Sequence, residues 1–181
     1  MSASNTEQRD CAQPIERVYE ICRSEEFLLY SGGVSEQEVV IVDSRYEERD
    51  DGSVFSETTA ERMISPPEGA GRDAEPKALR MTQVSTVFPL KENSVRIESE
   101  ALLPGNSGTV NITFHYSASN EGSDGTGLLY QSCHVEATAV AKSRIPMFGR
   151  KLEKRIVASL GSSLDKTIDR INSLVAQTWG E

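Results

Sequence analysis

The sequence is poor in long hydrophobic runs and in aromatic residues. No apolar stretch in its 181 residues approaches the roughly 20 that a membrane-spanning helix needs, so we expect a soluble protein. Residues 1–9 are polar and show the pattern of neither a secretory signal nor a mitochondrial presequence, which favours a cytoplasmic location. Aromatic residues make up 6% of the chain, which disfavours a site for a large flat ligand.

Basic residues are also scarce. The chain has 19 Lys and Arg against 28 Asp and Glu, which gives a net charge of −9. Proteins that bind nucleic acid without sequence specificity need clustered cations facing the phosphates. We therefore predict no nucleic-acid partner.

Cysteine and histidine are few and have no ligand spacing. Cys11, Cys22 and Cys133 are an odd, widely separated set that fits neither a disulfide framework nor a zinc motif, so we predict buried free thiols. His115 and His134 are the only histidines. With no glycine-rich phosphate motif ahead of a helix, the sequence predicts neither a metal nor a cofactor.

The length predicts one domain over residues 1–181. Its first half reads as one strand, two short helices and a hairpin. Pro14 suits the first turn of a helix, and Asp50-Asp51-Gly52-Ser53 is a hairpin turn signal. We predict a strand at 5–12, helices within 14–31, strands at 39–48 and 54–64, and a loop at 65–77.

Four further strands follow, and then one long helix. The pattern alternates most clearly where Val110, Ile112, Phe114 and Tyr116 occupy every second position. We predict strands at 81–90, 95–103, 110–116 and 128–140, with a loop at 119–127. The fold class is therefore α+β, in the order β-αα-β6-α, with an antiparallel meander of about seven strands.

Residues 151–178 predict the long helix. Its apolar residues recur at steps of three and four and form one stripe, which we expect to cover a face of the sheet. Gly161 in the middle costs about 1 kcal/mol relative to Ala. Small residues there either leave room for a ligand, pack closely against an aromatic such as Phe114, or allow a bend.

Two segments resemble a known superfamily. Ala12-Gln13-Pro14-Ile15-Glu16-Arg17-Val18-Tyr19 and Ile145-Pro146-Met147-Phe148-Gly149-Arg150-Lys151-Leu152-Glu153 are similar to the entry and to the final-helix turn of START-like (SRPBCC) proteins. The second is similar to that turn in an uncharacterised, mainly actinobacterial family. The N-terminal motif of the PRELI-type phospholipid carriers is missing.

The resemblance implies a helix-grip fold in which the sheet wraps around the long helix, together with an apolar cavity between them. We therefore predict binding, with transfer as an extension, of a hydrophobic small molecule or lipid. The candidate lining residues are Leu160, Gly161, Leu164, Ile168, Phe114, Ile112 and Val84.

Two other function classes stay open. The same cavity could serve a cyclase- or hydrolase-type enzyme, with His134 or Glu136 as the acid/base group, and a His134 that faces the cavity would favour it. A filled interior would instead favour a co-chaperone-like interaction domain.

A basic cluster around an apolar turn stands out in this acidic chain. Cations flanking exposed apolar residues suit an anionic membrane surface, whereas the alternative is a solvated helix start. The candidate contact residues are Arg150, Lys151, Lys154, Arg155 and Phe148.

Overall fold

The computed structural model describes residues 2–30, 39–65, 75–119 and 132–180. Seven strands form one antiparallel sheet in the order β1-β7-β6-β5-β4-β3-β2, which confirms the predicted meander. The strands are β1 Ala3–Cys11, β2 Val40–Glu48, β3 Val54–Ile64, β4 Lys77–Val87, β5 Ser94–Leu102, β6 Gly108–Ala118 and β7 Cys133–Ser143.

Helices cover one face of this sheet, which we call the inner face. The helices are α1 Ile15–Cys22, α2 Glu25–Leu29, α3 Gly149–Ala158 and α4 Leu160–Trp179. The predicted order β-αα-β6-α is thereby confirmed, since α3 and α4 together are the long C-terminal helix. In the part of the chain that the structure describes, no helix is both long and apolar enough to cross a membrane.

Local sequence explains where these elements begin and end. Pro14 precedes α1 at φ −57°, and the Ser24 hydroxyl accepts a hydrogen bond from the Phe27 amide at 3.2 Å and so caps α2. In the predicted β2–β3 turn, the Asp51 carboxylate accepts from the Ser53 amide at 2.9 Å, and Gly52 takes φ +82°.

Several predicted boundaries shift. β4 begins at Lys77, four residues before the predicted start at Met81, and pairs with β3 along its whole length. The segments 31–38, 66–74 and 120–131 lie outside the described residues, and with them most of the predicted loops and the predicted start of the last strand.

The long helix has a one-residue interruption. Ser159 separates α3 from α4, because its amide and its hydroxyl both approach the Ile156 carbonyl, at 3.1 and 2.7 Å. The predicted stripe is otherwise buried or half-buried, apart from Trp179, which is exposed beneath the Arg17 guanidinium.

The packed core lies under α1 and the second half of α4. Its largest fully buried side chains include Tyr116, Ile15, Leu164 and Ile171. There the inner face of β6 and β7 contributes buried side chains such as Tyr116 and Val135. Towards β3, β4 and β5 the same face presents smaller and more polar side chains, and the space is not filled.

Candidate functional site

Two adjoining cavities lie between the inner face and the helices. The α2 cavity, about 270 Å³, is bounded by Leu28 and Leu29 of α2 and by β3 and β4. The α3 cavity, about 250 Å³, is bounded by Ile156 and Leu160 and by β5 and β6. Met81, Gln83 and Ala101 line both, so the two spaces meet above these residues. Each is slightly smaller than the about 300–1,000 Å³ of small-molecule sites, and the two together reach this range.

The cavity walls are mostly aliphatic. The apolar residues of the α3 cavity include Leu103, Val110, Ile112, Ile156 and Leu160. The α2 cavity adds Leu79 and Tyr30, with Arg62 and Lys166 as its charged groups. In the described lining of both spaces there is no histidine, cysteine or carboxylate.

A row of buried serines crosses the inner face, and Ser99, at its β5 end, borders the α3 cavity. Ser56, Ser85 and Ser99 are register neighbours on β3, β4 and β5, and all three are buried. The Oγ atoms of Ser85 and Ser99 are 2.9 Å apart and satisfy each other. On β6, Phe114 and Tyr116 are buried in the packed core and line neither cavity, whereas Ile112, the register partner of Ser99, borders the α3 cavity.

Thr58 is a buried polar residue in the lining of the α2 cavity. Its side chain lines the α2 cavity, the residue is 6% exposed, and its Oγ1 has no hydrogen-bond partner among the described groups. A buried hydroxyl left unsatisfied costs about 1–3 kcal/mol. Gln83, its register partner on β4, stands beside it at the junction of the cavities.

The predicted lining residues fall into different environments. Ile112 and Leu160 line the α3 cavity. Phe114 and Leu164 are buried in the packed core, and Ile168 packs half-buried against it.

The prediction that Val84 lines the cavity is wrong, because this residue lies on the other face of the sheet. Val84 lies on the outer face, beside Thr86 and Glu98, because β4 turns Gln83, Ser85 and Val87 towards the helices. Two of the inward positions, Gln83 and Ser85, are polar, so the alternation of Val84, Thr86 and Phe88 indicated the opposite face.

Gly161 does not border either cavity. A Cβ at this position would lie 3.1 Å from Arg9 Nη2 and 3.4 Å from Glu7 Cδ, so the glycine lets α4 approach polar side chains of β1. Arg9 in turn donates to Asp165 of α4 at 2.7 Å. The cavity predicted around residues 158–163 is instead bordered by Ser159, Leu160 and Ser163.

Both histidines face away from the cavities. His134 is 42% exposed on the outer face, where its Nδ1 lies 2.9 Å from Asp10 Oδ1. Glu136 follows on the same face and accepts from Gln8 Nε2 at 2.7 Å. His115, the register partner of Glu136, is exposed there as well.

The three cysteines are free and buried around one phenol, as predicted for their state. Cys11 and Cys133 are register partners on β1 and β7. Burial raises the pKa of the Cys22 thiol and of the Tyr116 phenol, whose hydroxyl has no partner among the described groups. Among the described residues, no group of three or more potential ligands could hold a metal ion.

The basic apolar corner is a fixed turn with exposed side chains. We use this name for residues 145–155. Met147, at φ +65°, is 94% exposed, and Phe148 is 68% exposed. The buried Glu153 carboxylate accepts from the Ser143 amide at 2.8 Å and joins α3 to the end of β7.

The four cations of this corner have no acidic partner among the described residues. Within the described ranges, Arg150, Lys151, Lys154 and Arg155 form no ion pair, whereas Arg45, Arg80 and Arg96 of the sheet each pair with a neighbouring glutamate.

A family model matches residues 6–174, which is nearly the whole chain. The chain belongs to the family described as protein of unknown function DUF2505. The assignment to the mainly actinobacterial START-like family stays a prediction. No curated protein matches the chain.

Solved structures share the architecture at low identity. The chain is similar to TTHA0849 from Thermus thermophilus, at 19% identity over 95% of this chain and 99% of that one, with a TM-score of 0.52. Norcoclaurine synthase from Thalictrum flavum is 12% identical over 94% of this chain and 86% of that one, with a TM-score of 0.50. Ara h 8.0201 is 7% identical to the chain over 96% of this chain and 99% of that one, with a TM-score of 0.54. With the seven-stranded sheet and its C-terminal helix, these likenesses show a helix-grip fold.

Proposed function

We propose that this protein reversibly binds a hydrophobic small molecule or lipid between the inner face and the helices. The observation that carries the proposal is the pair of adjoining cavities, which meet at Met81, Gln83 and Ala101. Aliphatic walls favour an apolar ligand, because each methylene removed from water contributes about 0.8 kcal/mol. Ile112 and Leu160 are the binding residues that we carry forward from the sequence.

The interruption at Ser159 supports a ligand that enters beside α3. Ile156, Ser159 and Leu160 border the α3 cavity where the two helices join. A helix break provides a point about which α3 can move while α4 stays packed on the core.

We also propose that the basic apolar corner contacts anionic membranes transiently. Each cation near such a surface contributes about 1 kcal/mol, so the four cations of α3 would supply about 4 kcal/mol, which corresponds to millimolar affinity. Phe148 and Met147 would add to this by entering the interface. The corner adjoins the α3 cavity through Ile156, so docking and ligand transfer would occur at the same end of the molecule.

Native mass spectrometry tests ligand binding. Protein purified without detergent should show a mass above that of the chain, and organic extraction should release the ligand. Uptake of the neutral dye Nile red by extracted protein is the second measurement. A chain that carries nothing and does not take up the dye would contradict the proposal.

Vesicle sedimentation tests the membrane contact. A variant with Arg150→Gln, Lys151→Gln, Lys154→Gln and Arg155→Gln should lose most binding to phosphatidylserine-containing vesicles. Lys151→Gln alone should weaken it by a few-fold, and the matched variant Lys91→Gln, in the β4–β5 turn, should not. Equal binding of the fourfold variant and the parent protein would refute docking.

An enzymatic role gains no support from the geometry. His134 and Glu136, its candidate acid/base groups, project from the outer face and not into the cavities. A co-chaperone-like role would favour a filled interior, whereas the space beside β3–β5 is open.

A further inference from the structure

Two exposed cations, Arg62 and Lys166, both border the α2 cavity. Arg62 comes from the end of β3 and Lys166 from α4, and both line this cavity. Within the described ranges, neither forms an ion pair or a side-chain hydrogen bond. On the outer face, by contrast, Glu61, which is next to Arg62 in sequence, forms an ion pair with Arg80. The protein has a net charge of −9, so carboxylates outnumber cations in it. Two cations at one cavity that nonetheless have no carboxylate partner indicate an anionic ligand group.

A polar position follows next along the cavity floor. Arg62 is on the inward phase of β3, four residues after Thr58, whose buried hydroxyl has no partner among the described groups. Gln83 lies across from Thr58 and borders both cavities. A ligand that carried a carbonyl or hydroxyl near its anionic end would satisfy the Thr58 hydroxyl.

Beyond this position the space becomes aliphatic. Ala101 and Met81 lead into the α3 cavity, where Ile112 and Leu160 form opposite walls. From β3 to β6 the path crosses three strand spacings of about 4.8 Å, and from Arg62 to the row of Gln83, Ala101 and Val110 it runs four residues along the strands, so that it is about 20 Å long in all. An extended dodecanoic acid molecule covers about two thirds of this length.

We propose that the ligand is an elongated aliphatic molecule with one anionic end group. The anionic group lies between Arg62 and Lys166, and the chain passes over Met81 and Ala101 into the α3 cavity. This assignment rests on the proposed function and adds to it the chemical class of the ligand and the direction in which it lies.

Three probes of equal chain length test the class: dodecanoic acid, dodecyl phosphate and dodecanol, each below its micelle-forming concentration. Their affinities are measured by displacement of Nile red at low ionic strength. At least one of the two anions should bind about tenfold or more tightly than dodecanol, and added salt should reduce this advantage. A carboxylate preference indicates a fatty-acid-like ligand, and a phosphate preference indicates a phosphorylated lipid.

The double variant Arg62→Met, Lys166→Met tests the position. It should lower the affinity of the preferred anion about tenfold, to that of dodecanol, and leave dodecanol binding unchanged. Lys91→Met is the matched control and should change neither. Circular dichroism and urea unfolding of each variant establish that it is folded.

The outcomes separate the two proposals. If dodecanol binds as tightly as both anions, or if the double variant keeps the anion preference, the anionic class is overturned while cavity binding stands. If the parent protein takes up neither Nile red nor any of the three probes, both proposals fall.

Discussion

Filling the junction of the two cavities should stabilise the protein and abolish ligand binding at the same time. Ala101 borders both spaces on the inner face, and its side chain points into unfilled volume. Ala101→Leu adds three carbons at this point. A gain in stability together with a loss of binding is the result expected of a filled cavity, whereas a disrupted fold would lose both.

The expected gain follows from burial and entropy. Three methylene-sized groups, at about 0.8 kcal/mol each when fully buried, contribute about 2.4 kcal/mol, and fixing a leucine rotamer costs about 0.5–1 kcal/mol. Because Ala101 is only half-buried, we expect a net gain of about 1 kcal/mol. In a chain of this length, that raises the melting temperature by about 2–4 °C.

Ala137→Leu is the matched control. Ala137 lies on the same face of the sheet, but it is fully buried, opposite Phe114 in the packed core. The same three carbons have no room there, and overpacking should cost about 1–3 kcal/mol. Urea unfolding and Nile red uptake are measured for both variants. If Ala101→Leu destabilises as much as Ala137→Leu, or leaves dye uptake unchanged, the cavity junction is not the open space that the structure describes.

Four further predictions follow from single side chains. Glu153→Ala should lower the free energy of unfolding by about 2 kcal/mol, measured in urea, because a buried amide loses its charged acceptor. Thr58→Val should leave the stability of the empty protein unchanged or higher, since the hydroxyl that it removes has no partner among the described groups; a loss above about 1 kcal/mol would contradict this. Gly161→Ala should raise stability by up to about 1 kcal/mol through helix propensity, because the nearest atom belongs to a flexible arginine that can move; a lower melting temperature would show that it cannot. Burial raises the pKa of Cys22 and of Tyr116, so the folded state keeps protons that the unfolded chain releases above about pH 8.5 and pH 10. The contribution of these two groups to the free energy of unfolding is therefore complete below pH 8, and above those values it falls by up to about 1.4 kcal/mol per pH unit for each group. Cys22→Ala should make the first part of this decline less steep. The measurement is the free energy of unfolding from pH 7 to 11.

The fold was predictable because its signals are local. Turn residues such as Asp51 and Gly52 separate strands, and Pro14 marks the start of the first helix. The apolar stripe from Leu160 to Val175 predicts a helix packed on a sheet, and the structure buries it there. The order of elements then fixes an antiparallel meander, because short connections join neighbouring strands.

The site was predictable only in part. Ile112 and Leu160 were found because they follow the periodicity of a buried strand and a buried helix. Thr58, Gln83 and Ala101 were missed because polar or small residues on an inward phase resemble an exposed face. The signal that could have found them is the run of small or polar residues at alternate positions of three successive strands, which is unusual for a sheet with helices on one side.

The sequence by itself determined the elements, their order, the buried thiols and the basic apolar corner, because hydrophobic period, turn chemistry and charge are properties of neighbouring residues. The tertiary structure decided which phase of each strand faces the helices, where volume is left unfilled and which cations border the same cavity. Those outcomes depend on the summed side-chain volumes and charges of segments far apart in the chain. For that reason Val84 lies on the outer face, Gly161 allows α4 to approach β1, and Arg62 and Lys166 border one cavity.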